Sequence, residues 1–234
     1  MSNLEMSHLL SIFEIAGPIM VGPSSSHTGG ACKIGQFARA IFHGTPKKVT
    51  FYLHGSFGEV YKGHATDKAL VAGMLKMRTR DPRIPDSFEI AKKKGLQFKF
   101  VVKDLGKDKH PNTVEVVMEN AKRKMSITGS SIGGGMIQIV KIDNFKVDLH
   151  AAAGRCLSFV MCHDKNKKSV IPALTEEFKK HDVKVEETET THLGNKSLTV
   201  INTEGRRFTL PEIMEIEKSI EGIDYLRSLS KLEK

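Results

Sequence analysis

Residues 22–30 read Gly22-Pro23-Ser24-Ser25-Ser26-His27-Thr28-Gly29-Gly30. Four hydroxyls, one imidazole and three glycines fall in a single bend, directly ahead of a segment whose apolar spacing predicts a buried helix from Ala31 to Phe42. The start of a helix leaves backbone N–H groups without partners and carries a partial positive charge, and glycines let a ligand approach the main chain. A small anion would sit well there. His27 adds a group that can donate, accept or ligate near neutral pH. N-capping alone would explain one hydroxyl, but three serines, a histidine and a threonine in a row exceed what a cap needs. The pattern therefore points to binding.

Three further stretches carry polar chemistry. In Gly63-His64-Ala65-Thr66-Asp67 the threonine and aspartate read as helix-start residues for a helix over Ala69–Met77, so His64 sits just upstream of a helix N-terminus, as His27 does. One such histidine is commonly a surface or capping residue; two in the same context favour chemistry. A polar loop over 104–112 ends in His110-Pro111-Asn112-Thr113. The third stretch, Gly129-Ser130-Ser131-Ile132-Gly133-Gly134-Gly135, fits the G-x-S-x-G elbow of serine hydrolases, but that elbow needs a helix straight after the nucleophile. Two more glycines and a strand pattern follow instead, so the hydrolase reading fails. What remains is either a flexible hairpin connection or a loop whose backbone and hydroxyls close over a ligand.

The elements that must position these loops follow from periodicity. Leu9, Leu10, Ile12, Phe13, Ile15 and Ala16 predict a helix over Met6–Ala16, stopped by Gly17-Pro18. Val49, Phe51 and Leu53 alternate with polar neighbours as a half-buried strand running into Gly55-Ser56-Phe57-Gly58. Asp86 is placed to cap a short helix ended by Gly95. Strands are expected at Gln97–Val102, Thr113–Met118, Lys122–Ile127 and Met136–Ile142, before a linker at Ala151-Ala152-Ala153-Gly154. The remainder reads strand (Arg155–Cys162), helix (Lys168–His181), strand (Val183–Thr191), strand (Ser197–Asn202), helix (Thr209–Ile220) and a last strand near Tyr225. This βαββαβ order is that of ferredoxin-like domains. The fold class is thus α+β: a mixed α/β substrate-binding-type domain over 1–150, then a small ferredoxin-like domain over 151–234.

At 234 residues the chain can hold two modest domains. Lysine and arginine exceed aspartate and glutamate by 36 to 27, giving a formal charge of +9. Apart from Lys92-Lys93-Lys94 and Lys167-Lys168 the lysines are scattered and lack interleaved aromatics, so nucleic-acid binding ranks last among the readings. Cys32, Cys156 and Cys162 form no C-x-x-C pair and lie in apolar patterns, so neither a disulfide framework nor an iron–sulfur or other metal site is expected on this chain. The amino terminus lacks the pattern of a secretory signal and no apolar run approaches the roughly 20 residues that cross a bilayer. No membrane association is expected, and the expected location is the cytoplasm.

Taken together, Ser11-Ile12-Phe13-Glu14-Ile15-Ala16-Gly17-Pro18 through Pro23-Ser24-Ser25-Ser26-His27-Thr28, Gly63-His64-Ala65-Thr66-Asp67, His110-Pro111-Asn112-Thr113 and Gly129–Gly135 resemble the β chain of the two-subunit, iron–sulfur-dependent L-serine dehydratases. The resemblance implies a serine dehydratase β domain, similar to the allosteric substrate-binding domain of some phosphoglycerate dehydrogenases, followed by an ACT-type domain. It also implies L-serine as substrate and an α subunit that holds the 4Fe-4S cluster, the complex yielding pyruvate and ammonia. On this reading Ser24, Ser25, Ser26, His27 and Thr28 hold the serine carboxylate and amine. His64 and Asp67 do acid–base or gating work, and Thr66, Asn112, Ser130 and Ser131 complete the pocket. Where ACT domains carry an Asp-Arg-Pro-Gly-like bend, this chain has His163-Asp164-Lys165-Asn166-Lys167-Lys168, which favours homodimer formation as a role for the tail at least as much as amino-acid binding. The same bends would also serve a stand-alone regulatory module that senses serine or a hydroxy acid without catalysis.

Overall fold

The computed structural model describes residues 19–150 and 157–229; the helix expected over Met6–Ala16, the linker Ala151-Ala152-Ala153-Gly154 and Cys156 lie outside the described residues. A π-helical turn, Ser25–Gly30, runs without a break into α1, Ala31–Phe42. Ala31, Ile34, Phe37, Ala38 and Ile41 recur on one face of α1 and are buried, as the apolar spacing requires. Against that face lies a layer made by the connection between β1 (Lys48–Leu53) and β2 (Gln97–Val102): α2 (Ser56–Val60), α3 (Thr66–Met74), a short 3₁₀ turn at Ile84–Asp86 and α4 (Ser87–Lys93). Such a long crossover is what two parallel neighbouring strands need. α1 and α3 cross where Gly35 meets Gly73. A Cβ on Gly73 would stand 2.3 Å from the Cys32 carbonyl oxygen, so only glycine allows backbone to touch backbone there.

Four more strands, β3 (Thr113–Glu119), β4 (Lys124–Gly133), β5 (Met136–Ile142) and β6 (Phe145–His150), complete a six-stranded sheet in the order β2-β1-β3-β4-β5-β6. Every neighbouring pair except β1–β2 is antiparallel. Val49, Phe51 and Leu53 of β1 face the helices with Val114, Val116 and Met118 of β3 and Ile127 of β4, all fully buried. Two expectations change. β4 does not stop at Ile127 but continues to Gly133, because its serines pair in register with β3 on one side and β5 on the other. β6 also escapes periodicity: it returns after a tight turn in which Asp143 adopts a left-handed conformation, φ 48°.

The second sheet consists of β7 (Leu157–Asp164), β8 (Val183–Leu193), β9 (Lys196–Gly205) and β10 (Ile223–Ser228), with α5 (Val170–Lys180) between β7 and β8 and α6 (Leu210–Ser219) between β9 and β10. Its antiparallel order β10-β7-β9-β8 realises the expected βαββαβ arrangement. Leu193-Gly194-Asn195-Lys196 turns the β8–β9 hairpin, and Thr209 starts α6 through a reciprocal capping box with Glu212. Alternation along β7 divides its side chains. Phe159 and Met161 pack under the helices with Leu174, Phe178, Ile213 and Ile216, whereas Val160 and Cys162 join Leu198, Val200 and Tyr225 in the core of the first sheet. Each fully buried side chain of this size contributes roughly 1.5–3 kcal/mol. Among the described residues no helix is long and apolar enough to cross a membrane.

Candidate functional site

The serine bend is not a loop ahead of the helix but the helix's own first turn. Ser24 is extended, φ −144° and ψ 127°, and its Oγ accepts from the His27 amide at 3.1 Å, while its carbonyl accepts from the amides of Thr28 and Gly29. Of the three serines, Ser24 is therefore the cap. Ser25 and Ser26 are half-buried, with hydroxyls that make no hydrogen bond among the described residues. The buried Thr28 hydroxyl donates to the carbonyl of His64 at 3.0 Å, tying the turn to the segment before α3.

That tie brings the two histidines together: their ring centroids are 4.9 Å apart. His27 Nε2 lies 3.0 Å from Ser56 Oγ, and the Phe57 ring packs against the imidazole at a steep angle, with centroids 5.3 Å apart. Because the Ser56 hydroxyl can donate or accept, either tautomer of His27 makes this bond, leaving Nδ1 able to do the converse. Burial holds the His27 ring below the ordinary imidazole range; the nearby His64 pushes the same way and the Ser56 bond opposes both. The ring is thus neutral at neutral pH, and the His64 beside it is exposed.

Thr66 and Asp67 occupy the first turn of α3, but neither side chain caps it; Ala65, in a left-handed conformation with φ 55°, stands at the cap position. Thr66 is fully buried, and its Oγ1 has no hydrogen-bond partner. Asp67 is 8% exposed and accepts from the Lys68 amide at 2.7 Å, while burial pushes its carboxyl above the ordinary carboxylate range.

Ser130 and Ser131, adjacent on β4, point to opposite faces of the sheet. Ser130 bonds Thr113 Oγ1 at 2.7 Å, across the β3–β4 register. Ser131 faces the helices and meets the π turn at Gly30, where a Cβ would stand 2.1 Å from Ser131 Oγ. Glycine at position 30 is what admits the serine. Fully buried, the Ser131 hydroxyl also lacks a partner, although its amide donates to the Asn112 carbonyl at 2.9 Å. Asn112 thus contributes its backbone to the arrangement, and Phe57 N–H reaches Pro111 O in the same loop. The structure gathers His27, Thr28 and His64 directly, and packs α3 and β4, which carry Thr66 and Ser131, on the same turn; Ser130 faces away.

Ser56, the partner of His27, is not among the residues expected from sequence. Its signal was the Gly55-Ser56-Phe57-Gly58 bend at a strand end, which resembles a turn as much as a site. The described cysteines do not fit an iron–sulfur cluster. Cys32 donates to the Met77 carbonyl, and Cys162 donates to Asp224 with its thiol pushed up to about 12 by burial and then by that carboxylate, whereas a cluster needs thiolates. Among the described residues no three His, Cys, Asp or Glu side chains are grouped to hold a metal ion.

The serine dehydratase beta chain family matches residues 11–141. The L-serine dehydratase beta chain of Peptoniphilus asaccharolyticus is 49% identical over 140 residues, 59% of this chain and 63% of that one. The probable L-serine dehydratase beta chain of Bacillus subtilis is 44% identical over 139 residues, with the same shares. An L-serine dehydratase of Helicobacter pylori is 31% identical over 159 residues, 58% of this chain and 34% of its own. Each match thus spans under two thirds of the relative's length, and the family match ends at residue 141, ahead of the second sheet. Over the segment that builds the histidine cluster, this chain belongs to the serine dehydratase beta chain family.

Proposed function

We propose that this chain is the β subunit of an L-serine dehydratase and acts with an iron–sulfur α subunit to convert L-serine to pyruvate and ammonia. The observation that carries the reading is the pair of buried, unpartnered hydroxyls, Thr66 Oγ1 and Ser131 Oγ, on two elements packed against the helix start whose His27 lies beside His64. Buried polar groups without partners are rare and costly, and a ligand rich in donors and acceptors would satisfy them. The serine carboxylate takes the N–H groups and hydroxyls of Ser25 and Ser26 at the head of the π turn, and the amine takes hydroxyl oxygens. Overall the reaction removes the Cα proton and the β-hydroxyl as water; the resulting enamine tautomerises and is hydrolysed to pyruvate and ammonia. His64, exposed beside the neutral His27, is the proton acceptor, with Asp67 supporting it. Ser130 is left a structural role through its bond to Thr113.

Several features support a second chain. Two relatives over the matched segment are named as beta chains, which implies an α subunit as partner. In the H. pylori protein the matching segment is a third of a chain named for the whole enzyme. The 4Fe-4S cluster belongs on that partner. The proposal extends to a cytoplasmic location, to a division at 150/151, and to homodimer formation through an ACT-like second domain. Co-expression with an α chain and a pyruvate-forming assay test it: serine turnover is expected only with both chains and iron present. If this chain binds serine but adds nothing to any α chain, the sensing-module reading replaces it.

A further inference from the structure

The turn from β7 into α5 carries a feature that the serine reading does not use. A cavity of about 320 Å³ opens there, within the range of about 300–1,000 Å³ typical of ligand sites. Three ammonium groups, those of Lys165, Lys167 and Lys168, line it, and none of its lining residues is acidic. Lys167 pairs with the exposed Glu221, whereas Lys165 and Lys168 have no carboxylate partner among the described residues. Both are exposed. The first turn of α5 contributes Ile171 to the same cavity, and its cap residue Ser169 makes no capping bond, so the positive end of this eleven-residue helix adds to the field.

The opposite wall is held by hydrogen bonds. His163 Nδ1 lies 3.2 Å from the Asp164 carbonyl, which can only accept, so Nδ1 carries the proton and Nε2 accepts. Nε2 therefore takes the Thr199 proton at 2.9 Å, and Thr199 Oγ1 in turn accepts from Thr190 at 2.9 Å. On the outer part of the wall, His192 Nδ1 is bonded to Ser197 Oγ at 2.7 Å, leaving Nε2 available. The floor of the turn is pinned as well, by Lys165 N–H on the Asn195 carbonyl and Asp164 N–H on the Gly222 carbonyl.

We propose that this cavity binds a small anion of two or more negative charges, a di- or tricarboxylate or a phosphate ester, held by Lys165, Lys168 and His192. A zwitterionic amino acid does not suit it, because no acidic side chain lines the cavity to take the α-ammonium. The rigid wall and the unpartnered lysines fit charge-assisted bonds to several oxygens at once.

The test uses the full chain alone, so its outcome does not depend on the serine reading. Thermal unfolding and calorimetric titration with citrate and with inorganic phosphate are compared against sodium chloride at matched ionic strength, and against L-serine. The expected result is stabilisation by one of the two anions beyond the chloride control, with affinity reduced about tenfold or more in Lys165→Ala/Lys168→Ala and unchanged in Lys92→Ala/Lys93→Ala. The tighter anion identifies the class as carboxylate or phosphate. No stabilisation beyond chloride by either anion, an equal response in the two double variants, or a serine response that disappears with Lys165 and Lys168 would overturn the proposal.

Discussion

Two clusters in this molecule set histidines beside buried hydroxyls, and they differ in whether the hydroxyls are paired. Under the second sheet, Thr199, Thr190 and Ser197 each have a partner, and two of those bonds go to His163 and His192. Around the π turn, Thr66 Oγ1 and Ser131 Oγ are just as buried but bond to nothing, while His27 and His64 face each other. Since leaving a buried donor unpaired costs roughly 1–3 kcal/mol, a satisfied network consolidates its fold and an unsatisfied one is held in place by its surroundings for another purpose. On the proposed reading the first cluster keeps hydroxyls for a ligand; the second uses its hydroxyls for itself, and the Lys165 and Lys168 ammonium groups and His192 Nε2 at its rim remain for binding.

The change with the largest expected effect is His64→Ala. A positioned acid–base group contributes about 10²–10⁴-fold to rate, so turnover of the reconstituted complex should fall at least about 100-fold, with the chain still folded. The side chain is exposed, and the bond that ties it to the π turn uses its carbonyl rather than its ring. Turnover within a few-fold of the parent enzyme would leave the first cluster a packing arrangement like the second.

A matched pair of hydroxyl deletions then separates the clusters by stability. Thr199→Val leaves the buried Nε2 of His163 without its donor and should cost roughly 1–3 kcal/mol in urea unfolding. Ser131→Ala removes an orphan, so stability should stay equal or rise by up to about 1 kcal/mol, while the serine KM of the complex rises. Equal losses from both substitutions would mean that Ser131 is paired in solution, and the contrast would collapse.

How much of this was legible in the sequence depends on the period of the signal. α1 was readable because Ile34, Phe37, Ala38 and Ile41 repeat at helical spacing, and the β8–β9 hairpin because Gly194-Asn195 marks its turn. The serine-rich stretch of β4 read as a loop, since small polar residues resemble a turn until two neighbouring strands satisfy their backbone. Strand alternation, invisible once the stretch is taken as a loop, is what parts Ser130 from Ser131. Ser56 was missed for a different reason: its partner is 29 positions away, and only the return of the chain from β1 places it on His27. Residue type identified the histidines and hydroxyls, but their pairing is a tertiary property.

The smallest expected effect concerns pH. His163 is held below the ordinary imidazole range, chiefly by burial, although its bond to the Asp164 carbonyl acts in the opposite sense. A histidine whose pKa is lower folded than unfolded binds its proton more tightly in the unfolded chain. Its stabilising contribution is complete above the unfolded value of about 6.5 and is lost as pH falls from there through the folded value. Protonation would also take from Nε2 the lone pair that accepts from Thr199, so the second cluster should loosen in acid. His27 and His43 are displaced the same way, and all three make the parent chain less stable at pH 5.5 than at pH 8. His163→Asn isolates one share of that slope: the variant starts less stable at pH 8, and the gap to the parent should narrow as pH falls. A gap that stays constant between pH 8 and 5.5 would mean that His163 binds its proton equally well folded and unfolded, so that its burial in the second cluster does not disfavour the charged ring.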